Sequence, residues 1–457
     1  MKINILRSYA IPGVLIFSLL FVLIAKTESA SLSEKQIEII IKPAAAGVLM
    51  TETIQQSIDK CAAEGGGNVR FIEGTYLSGT ILLRSKVTLQ LDKGALIKGS
   101  DKYSDYRNDA FFYAKELSDI SIKGEGIIDG VDCYNAKGEE GFRGPHCIRL
   151  VSCKNITLEG ITIKNSANWA INCRYCSYGN VTNVTILGGH DGLHTRFCNN
   201  FTARGCDFRT GDDAFAGNDN RDFEITDCSI NTSCNGFRMG CLNLTVKRCR
   251  FWGPGEYVHK IQKRHNMLSA FVHFSPKDEK PQLQNGNWLI QDIKVENVDN
   301  FFIYNFRNGL WQTGQPFTSV RFDRIEAKGI LRSFYAAGDD KLLFKMTITN
   351  SSFTFRDGDE SNTESFEGAK LLSPGFFYAN SFDKILLEKV AFTKRDSSLL
   401  LGFESGNNLI MKKVTFTNLS ELQPFNTNRV KEVNLEKLKH NGNDISGKQL
   451  KPIKISR

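Results

Sequence analysis

The chain has 457 residues, of which 58 are lysine or arginine and 50 are aspartate or glutamate, so its formal net charge is +8. A net charge this small on a chain of this length needs no explanation beyond keeping the protein soluble. The absence of a basic helix and of zinc-finger spacing argues against a nucleic-acid-binding module, and we expect no nucleic-acid partner.

The first thirty residues are typical of a secretory signal peptide. Lys2 and Arg7 precede an apolar run at 11–25, and Ser29-Ala30 offers small residues for cleavage. A retained membrane anchor is the alternative, because the run is long for a signal. No other segment reaches the roughly 18 apolar residues that would span a bilayer. We therefore expect a secreted or periplasmic protein, with residues 31–457 as one catalytic domain that leaves the membrane after signal removal and ends in a polar tail from about residue 446.

A short helix and a series of strands open the mature chain. Ile54, Ile58 and Cys61 share one helical face, and Gly65-Gly66-Gly67 ends the helix. A helix here would cap the open end of a repeat stack, whose exposed edge would otherwise invite aggregation. Strand-like runs follow at 68–72, 80–83, 87–91, 95–99 and 120–124.

A repeat of twenty-odd residues then dominates the chain. Each copy reads as two short alternating strands joined by a polar or glycine kink, and such a unit must stack on its neighbours to bury its apolar face. Alternating β-branched residues without intervening helices predict an all-β, single-stranded parallel β-helix. A β-sandwich is the alternative, but hairpin dipeptides at regular intervals are missing. The copies lie at 155–163, 180–186, 201–208, 223–230 and 244–251, and weaker ones at 289–295, 320–325, 346–353, 386–392 and 410–416.

The twelve cysteines follow this period rather than a disulfide pattern. We expect two columns of small buried hydrophobic side chains, while bridges such as Cys133 with Cys147 or Cys234 with Cys241 stay open. No cysteine has metal-ligand spacing with histidine, so we expect neither a metal nor a cofactor. The columns are Cys153, Cys176 and Cys198, and Cys206, Cys228 and Cys249.

One polar patch recurs on three successive coils. Its copies are Gly189-His190-Asp191-Gly192, Gly211-Asp212-Asp213-Ala214 and Cys234-Asn235-Gly236-Phe237-Arg238. The offset is 21 residues from Asp191 to Asp212 and 23 from Asp212 to Asn235. Three carboxylates brought together in this way suggest acid/base chemistry on a sugar chain. The alternative for Asp212-Asp213 is a solvated turn or a pair of calcium ligands.

A long insertion between residues 251 and 288 breaks the period just after this patch. It carries His259, Lys260, Lys263, Arg264 and His265. A solvated basic loop is the plain interpretation, but long loops beside a site commonly carry binding residues. We expect this one to bind substrate.

At these motifs the sequence resembles the polygalacturonase-type enzymes of glycoside hydrolase family 28, which have the pectin lyase-like fold. The likeness also takes in Gly74-Thr75-Tyr76 and Asn165-Ser166 with Trp169. It implies a right-handed parallel β-helix and hydrolysis with inversion. The family's Asn-Thr-Asp corresponds to residues 189–191 and its Gly-Asp-Asp to residues 211–213. Asp212 would then be the general acid, and Asp191 and Asp213 would position and deprotonate the attacking water.

Two departures bear on the substrate. The family's Gly-His-Gly is Cys234-Asn235-Gly236 here, and its Arg-Ile-Lys, which grips the substrate carboxylate, has no clear counterpart. The expected substrate-binding residues are therefore His190, Asn235, Arg238 and the cations of the insertion. We expect a monomer that binds a polysaccharide or oligosaccharide, pectin-like or otherwise acidic. A lyase or epimerase on the same fold, or a non-catalytic carbohydrate-binding β-helix, are the alternatives.

The proposed chemistry makes two demands on the carboxylates. Asp212 must keep its proton, which like-charged neighbours favour by raising one member's pKa. An inverting pair also needs about 6.5–9.5 Å between its carboxyl groups.

Overall fold

The structure, a computed structural model, describes residues 37–356, 377–395, 400–419 and 424–446. The described residues belong to one compact unit. The expected signal peptide and the polar tail beyond residue 446 lie outside them. Within the described ranges, no helix is long and apolar enough to cross a membrane.

The fold is a right-handed, single-stranded parallel β-helix, as predicted. Lys154–Glu159 pairs in parallel with Ser177–Thr182, which pairs in parallel with Asn199–Arg204. Each strand therefore meets its equivalent one coil earlier and one coil later, which is the stacking that a repeat of this length requires. The pairing of Lys439–His440 with Asn443–Asp444 is antiparallel.

The coils differ in length along the axis. In the C-terminal half, the two short strands expected for each repeat run together, as in Ser319–Ile330, where Arg324 at φ +55° makes the kink inside a continuous strand. The N-terminal strands are Ile37–Ile41, Gly67–Phe71, Gly74–Ser78, Ile81–Leu82, Val87–Leu91, Ala95–Gly99, Ala110–Lys115, Ser118–Gly124 and Ile127–Asp129. The central strands are His146–Val151, Lys154–Glu159, Thr162–Lys164, Ile171–Arg174, Ser177–Thr182, Thr185–Gly188, Leu193–Arg196, Asn199–Arg204, Asp207–Thr210, Phe215–Thr226, Ser229–Thr232, Asn235–Lys247, Arg250–Trp252 and Ser269–His273. The C-terminal strands are Trp288–Glu296, Asn300–Asn305, Ser319–Ile330, Arg332–Ala337, Phe344–Phe355, Phe377–Thr393, Leu401–Lys412, Thr415–Thr417, Phe425–Glu436, Lys439–His440 and Asn443–Asp444.

The capping helix spans Thr51–Ala63, and its apolar face is the predicted one. Ile54, Ile58 and Cys61 are fully buried against the first coils. The chain then leaves the helix through Gly65 at φ +94°, a conformation that glycine adopts without strain. Three short 3-10 turns cover Tyr103–Asp105, Glu139–Gly141 and Lys277–Glu279.

A ladder of phenylalanines fixes the spacing of the coils beneath the polar patch. Phe215, Phe237 and Phe271 are paired in register and fully buried. Their rings stack with centroids 4.6 and 5.2 Å apart. Burying a side chain of this size stabilises the fold by about 1.5–3 kcal/mol, so the ladder holds the neighbouring turns in a defined register.

The cysteine columns are present as predicted. The backbone N–H of Cys153 lies 3.4 Å from Cys176 Sγ, and that of Cys176 lies 3.4 Å from Cys198 Sγ. All twelve cysteines fall within residues 37–356, where each is buried and free of a disulfide. Burial raises the pKa of Cys147 to about 12, so its thiol stays neutral.

Candidate active site

The structure corrects the register of the polar patch. Asp191, Asp213 and Asn235 are the equivalent residues, because each stands two positions before a member of the paired set Leu193, Phe215 and Phe237. Their carbonyl oxygens accept backbone hydrogen bonds of 2.9 Å from neighbouring coils. The expected offsets of 21 and 23 residues had placed Asp212 in this column. Asp212 instead stands one residue earlier, beside it.

The three carboxylates form a tight cluster with unequal exposure. One oxygen from each of Asp191, Asp212 and Asp213 lies within 4.8 Å of the other two. Asp213 is fully buried, and its oxygens accept hydrogen bonds from Arg238 Nε and, at 2.8 Å, from Asn235 Nδ2. Asp212 keeps 17% of its side chain exposed. Asp191 and Asp212 line a cavity, whereas Asp213 does not line it and instead holds Arg238 in place.

The surroundings of Asp191 and Asp212 shift the pKa values of the two carboxyl groups in opposite directions. Burial, reinforced by the charges of Asp212 and Asp213, raises the pKa of Asp191 well above its ordinary value. Burial would also raise the pKa of Asp212, but His259, Arg238 and Arg143 outweigh it and lower that pKa. Of the two, Asp191 therefore has the higher affinity for a proton in the free protein. The rise in the pKa of Asp212 that its like-charged neighbours predicted is not found, because cations that the sequence did not reveal surround this carboxylate.

His259 comes from the inserted loop, here called the strap (residues 253–268). Its Nδ1 accepts hydrogen bonds from the backbone N–H groups of Ile261 and Gln262, at 3.2 and 3.0 Å. A neutral imidazole must then carry its proton on Nε2. That nitrogen lies 3.5 Å from Asp212 Oδ1 and faces it as a donor. The strap thus supplies a histidine to Asp212 where the coil itself offers Asn235.

The same neighbourhood contains three atoms with metal-ligand chemistry. One atom each from Asp212, Cys234 and His259 lies within 4.8 Å of the others. However, the proton on His259 Nε2 blocks that nitrogen, and Arg264 donates to Cys234 Sγ at 3.4 Å. Burial also raises the pKa of the Cys234 thiol, which disfavours the thiolate that metals bind. The donor set suits a hydrogen-bonded cluster better than a cation.

Two arginines flank the carboxylates. Arg238 lies over the rings of Phe274 and Trp311, with Cζ 4.2 and 5.4 Å from their centroids. Arg143 was not expected from the sequence because it belongs to an irregular loop rather than to the repeat. It is buried, donates to Glu140 at 2.7 Å and lies 3.8 Å from Asp212.

Asp191 and Asp212 lie on the floor of a cavity of about 650 Å³. Six residues predicted from the sequence line it, and several unpredicted ones join them. His194 bonds Asp191 at 2.8 Å and stacks on Trp169, with ring centroids 3.6 Å apart. Trp311 lies in a loop without any motif that would mark it. The predicted lining residues are Asp191, Asp212, Asn235, Arg238, His259 and Arg264, and the unpredicted ones include Arg143, His194, Arg196 and Trp311.

Four predicted substrate-binding residues do not line this cavity. His190 is buried beneath Arg143, whose guanidinium contacts its Nδ1 at 3.1 Å; burial and that charge lower the pKa of His190 to about 3. Lys260 is paired with Asp132. Lys263 is exposed, and His265 folds back to bond the Gly255 carbonyl at 2.8 Å.

Known proteins resemble this chain in sequence and in fold. The family Glycosyl hydrolases family 28 matches residues 66–244. A probable polygalacturonase of Vitis vinifera is 25% identical over 37% of this chain and 40% of its own length. An endo-polygalacturonase of Pectobacterium carotovorum subsp. carotovorum is 25% identical over 43% of this chain and 60% of its own length. The chain thus spans less than two thirds of these curated relatives.

Solved structures support the fold. The crystal structure of a hyperthermoactive exopolygalacturonase from Thermotoga maritima superposes with a TM-score of 0.58 at 16% identity, covering 82% of this chain and 93% of that one. An exopolygalacturonase of Yersinia enterocolitica gives 0.56 at 15% identity, over 88% and 79%. The resemblance drawn from the sequence is confirmed: the chain is similar to polygalacturonases, its residues 66–244 match glycosyl hydrolases family 28, and its fold is a parallel β-helix.

Proposed function

We propose that this protein is a secreted or periplasmic glycoside hydrolase that cleaves a pectin-like or other acidic polysaccharide with inversion. One observation carries the proposal. Asp191 and Asp212 face the same cavity, and their surroundings push their pKa values in opposite directions. Pairs of carboxyl groups separated in this way are typical of acid/base catalysis at neutral pH.

The resemblance assigns the general acid to Asp212, and an anionic substrate gives it the means to hold a proton. The groups that lower the pKa of Asp212 include Arg238 and Arg143, which line the cavity. A sugar carboxylate bound in the cavity that these guanidinium groups line offsets their charge, so the pKa of Asp212 rises. The proton shared with Asp191 then moves to Asp212, which delivers it to the glycosidic oxygen. Asp191, now ionised, takes a proton from the attacking water.

In this proposal Asp213 acts through Arg238 and does not touch the water. It is fully buried and absent from the cavity wall, and it fixes the guanidinium that reaches over Phe274. The stereochemistry is assigned from the family resemblance. One oxygen of each carboxylate lies within 4.8 Å of the others, but the two mechanisms are distinguished by the separation of the whole carboxyl groups.

Arg264 is the side chain best placed to receive the substrate carboxylate. Arg143, Arg196 and Arg238 are each paired with a carboxylate. Arg264 donates to the neutral Cys234 thiol, and its Nε is buried without a hydrogen-bond partner among the described residues. A guanidinium that lacks a carboxylate partner binds one readily, in a planar two-point geometry. This supports an acidic sugar as substrate.

Hydrolysis is tested with a panel of plant and algal polysaccharides that includes polygalacturonate. We expect new reducing ends without an ultraviolet-absorbing unsaturated product. An unsaturated product would indicate a lyase, and binding without turnover would indicate a non-catalytic scaffold. Secretion is tested separately by sequencing the N-terminus of the exported protein, which should begin close to residue 31.

A further inference from the structure

We propose that His194 is a positioning residue for the base Asp191, and that Trp169 holds the imidazole in the orientation that this role requires. The inference rests on the proposed function, in which Asp191 takes a proton from the attacking water. It also gives a role to Trp169, which the sequence singled out together with Asn165-Ser166 and which the proposed mechanism does not use.

The register of the β-helix brings the three side chains together. Trp169 stands two residues before Ile171, which pairs with Leu193, so Trp169 occupies on the preceding coil the place that Asp191 has on its own. Successive side chains of a strand point to opposite faces. His194 follows the core residue Leu193 and therefore points away from the core, towards the cavity that it lines.

The contact with His194 fixes the carboxyl group of Asp191. Nδ1 of the imidazole lies 2.8 Å from Asp191 Oδ2, and both side chains are buried. The other oxygen, Oδ1, is buried without a hydrogen-bond partner among the described residues. The plane of the carboxyl group therefore depends on the bond to His194.

Trp169 sets the plane of the imidazole. The two rings are stacked, with centroids 3.6 Å apart and planes that differ by 3°. The tryptophan is itself held at its backbone, where its carbonyl accepts a hydrogen bond from Ser166 Oγ at 3.2 Å and its N–H donates to Asn168 Oδ1 at 3.0 Å. The stack and the hydrogen bond to Asp191 together fix the orientation of the His194 ring.

The imidazole is neutral and donates to Asp191 when that residue is ionised. Burial, followed by the charges of Arg238 and Arg196, lowers the pKa of His194 well below its ordinary value. A neutral imidazole has one N–H, and an ionised carboxylate can only accept hydrogen bonds. The proton of His194 must then lie on Nδ1, where it makes a charge-assisted hydrogen bond. This bond stabilises the ionised Asp191 that the attack of water requires.

The test is a pair of substitutions at His194 in the full mature protein. His194→Phe keeps an aromatic ring for Trp169 but removes the donor, so kcat should fall about 10–100-fold with little change in KM. Asp191 then holds its proton more tightly, and the basic limb of kcat/KM should move to higher pH. His194→Asn should recover most of both changes, because its amide nitrogen is bonded to Cγ as Nδ1 is. The charged groups that face Asp191 stay the same in both variants: Asp212, Asp213, Arg143 and Arg238.

The matched control is His273→Phe. His273 is another buried histidine, bonded to Asn285 at 2.9 Å and outside the cavity lining, so its loss should leave the basic limb in place. A folded His194→Phe variant that keeps its kcat, or that loses kcat without a displaced limb, would refute the positioning role while leaving hydrolysis intact. No new reducing ends from the parent protein on any glycan of the panel would overturn the proposed function, and this inference with it.

A substitution at Trp169 tests the second part of the proposal and serves if His194→Phe does not fold. Trp169→Leu removes the stack but leaves both hydrogen-bonding partners in place. We expect a loss of a few-fold in kcat and a basic limb displaced in the same direction. A pH profile and kcat equal to those of the parent would show that the imidazole needs no support from Trp169 and would overturn that part.

Discussion

His259 Nε2 lies 3.5 Å from Asp212 Oδ1, although the histidine belongs to the strap and the aspartate to a coil turn. Two backbone N–H groups donate to Nδ1 of the imidazole and fix the orientation of the ring, so that Nε2 points at Asp212. A histidine beside the proposed acid is therefore present in three dimensions, even though Asn235 replaces the one expected in the coil. This removes the strongest reason to regard the chain as an inactive scaffold.

The first prediction concerns this contact. His259→Ala should lower kcat about 10–100-fold, since a hydrogen bond to a charged group contributes about 1.5–3 kcal/mol. It should also raise the pKa of Asp212 in the free enzyme, because His259 is among the groups that lower it. The basic limb of the kcat/KM profile would then move to higher pH. Lys263→Ala, on an exposed part of the strap, is the control, and an unmoved profile would assign His259 a purely structural role.

The second prediction separates the roles of the two cavity carboxylates. Asp212→Asn should lower turnover of the natural substrate by about 10²–10⁴-fold, the usual contribution of general acid/base assistance. The loss should be smaller for an activated aryl glycoside, whose leaving group needs little protonation. Asp191→Asn should harm both substrates alike, because it removes water activation. Near-full activity of Asp212→Asn on the natural substrate would place the chemistry elsewhere.

A third prediction follows from protonation driven by the substrate. Asp191 and Asp212 must share one proton for the reaction to start, so activity is lost as pH rises through the pKa at which the pair loses that proton. That pKa should rise when an anionic sugar offsets the charges of Arg143 and Arg238, which lower the pKa of both carboxylates. The basic limb of kcat, which reports the complex, should therefore lie at higher pH than that of kcat/KM, which reports the free enzyme. Coincident limbs would refute the mechanism.

The fold was predictable from the sequence because the period of the sequence repeat is the length of one coil. The phenylalanine and cysteine columns recur along the chain at the coil period, so pattern and packing carry the same information. The register of the carboxylates was harder, since a shift of one residue exchanges Asp212 for Asp213. Only the pairing of Leu193, Phe215 and Phe237 decides between them.

The walls of the site were the least predictable part. Arg143 and Trp311 lie in irregular loops, where neither period nor motif marks a residue, and they reach the cavity through tertiary contacts. The sequence predicted that the strap binds substrate, but it could not show which of the strap's charged side chains face the cavity. The structure separates Lys260, which pairs with Asp132, from Arg264, which enters the cavity wall.

The fourth prediction is that ionisation of the buried Asp191 carboxyl group destabilises the folded protein. Its folded-state pKa is raised, so the folded protein binds more protons than the unfolded chain above the unfolded pKa of about 4. Stability is then lost as pH rises from about 4 through the folded pKa. Asp191→Asn should melt at higher temperature than the parent at pH 7, with a difference that shrinks towards pH 4. Thermal melting across this range checks the sign, and a lower melting temperature at pH 7 would contradict it.

The last prediction concerns the charge of the substrate. Arg264 reaches the cavity wall with a buried Nε that has no hydrogen-bond partner among the described residues, and its guanidinium otherwise meets the Cys234 sulfur. Arg264→Gln keeps much of the side chain's length but removes its charge. We expect kcat/KM on an acidic oligosaccharide to fall about 10–100-fold, since a charge-assisted hydrogen bond contributes about 1.5–3 kcal/mol.

The discriminating measurement is a comparison between substrates. The same variant should lose much less on a carboxyl-reduced or methyl-esterified oligosaccharide, which presents no anion to the guanidinium. Arg250→Gln is the matched control, because Arg250 is exposed and pairs with Glu296 outside the cavity. Equal losses in kcat/KM on charged and uncharged substrates would show that Arg264 shapes the cavity wall but does not bind the substrate carboxylate. The charge would then have to be recognised by Arg143 or Arg238, beside the proposed acid.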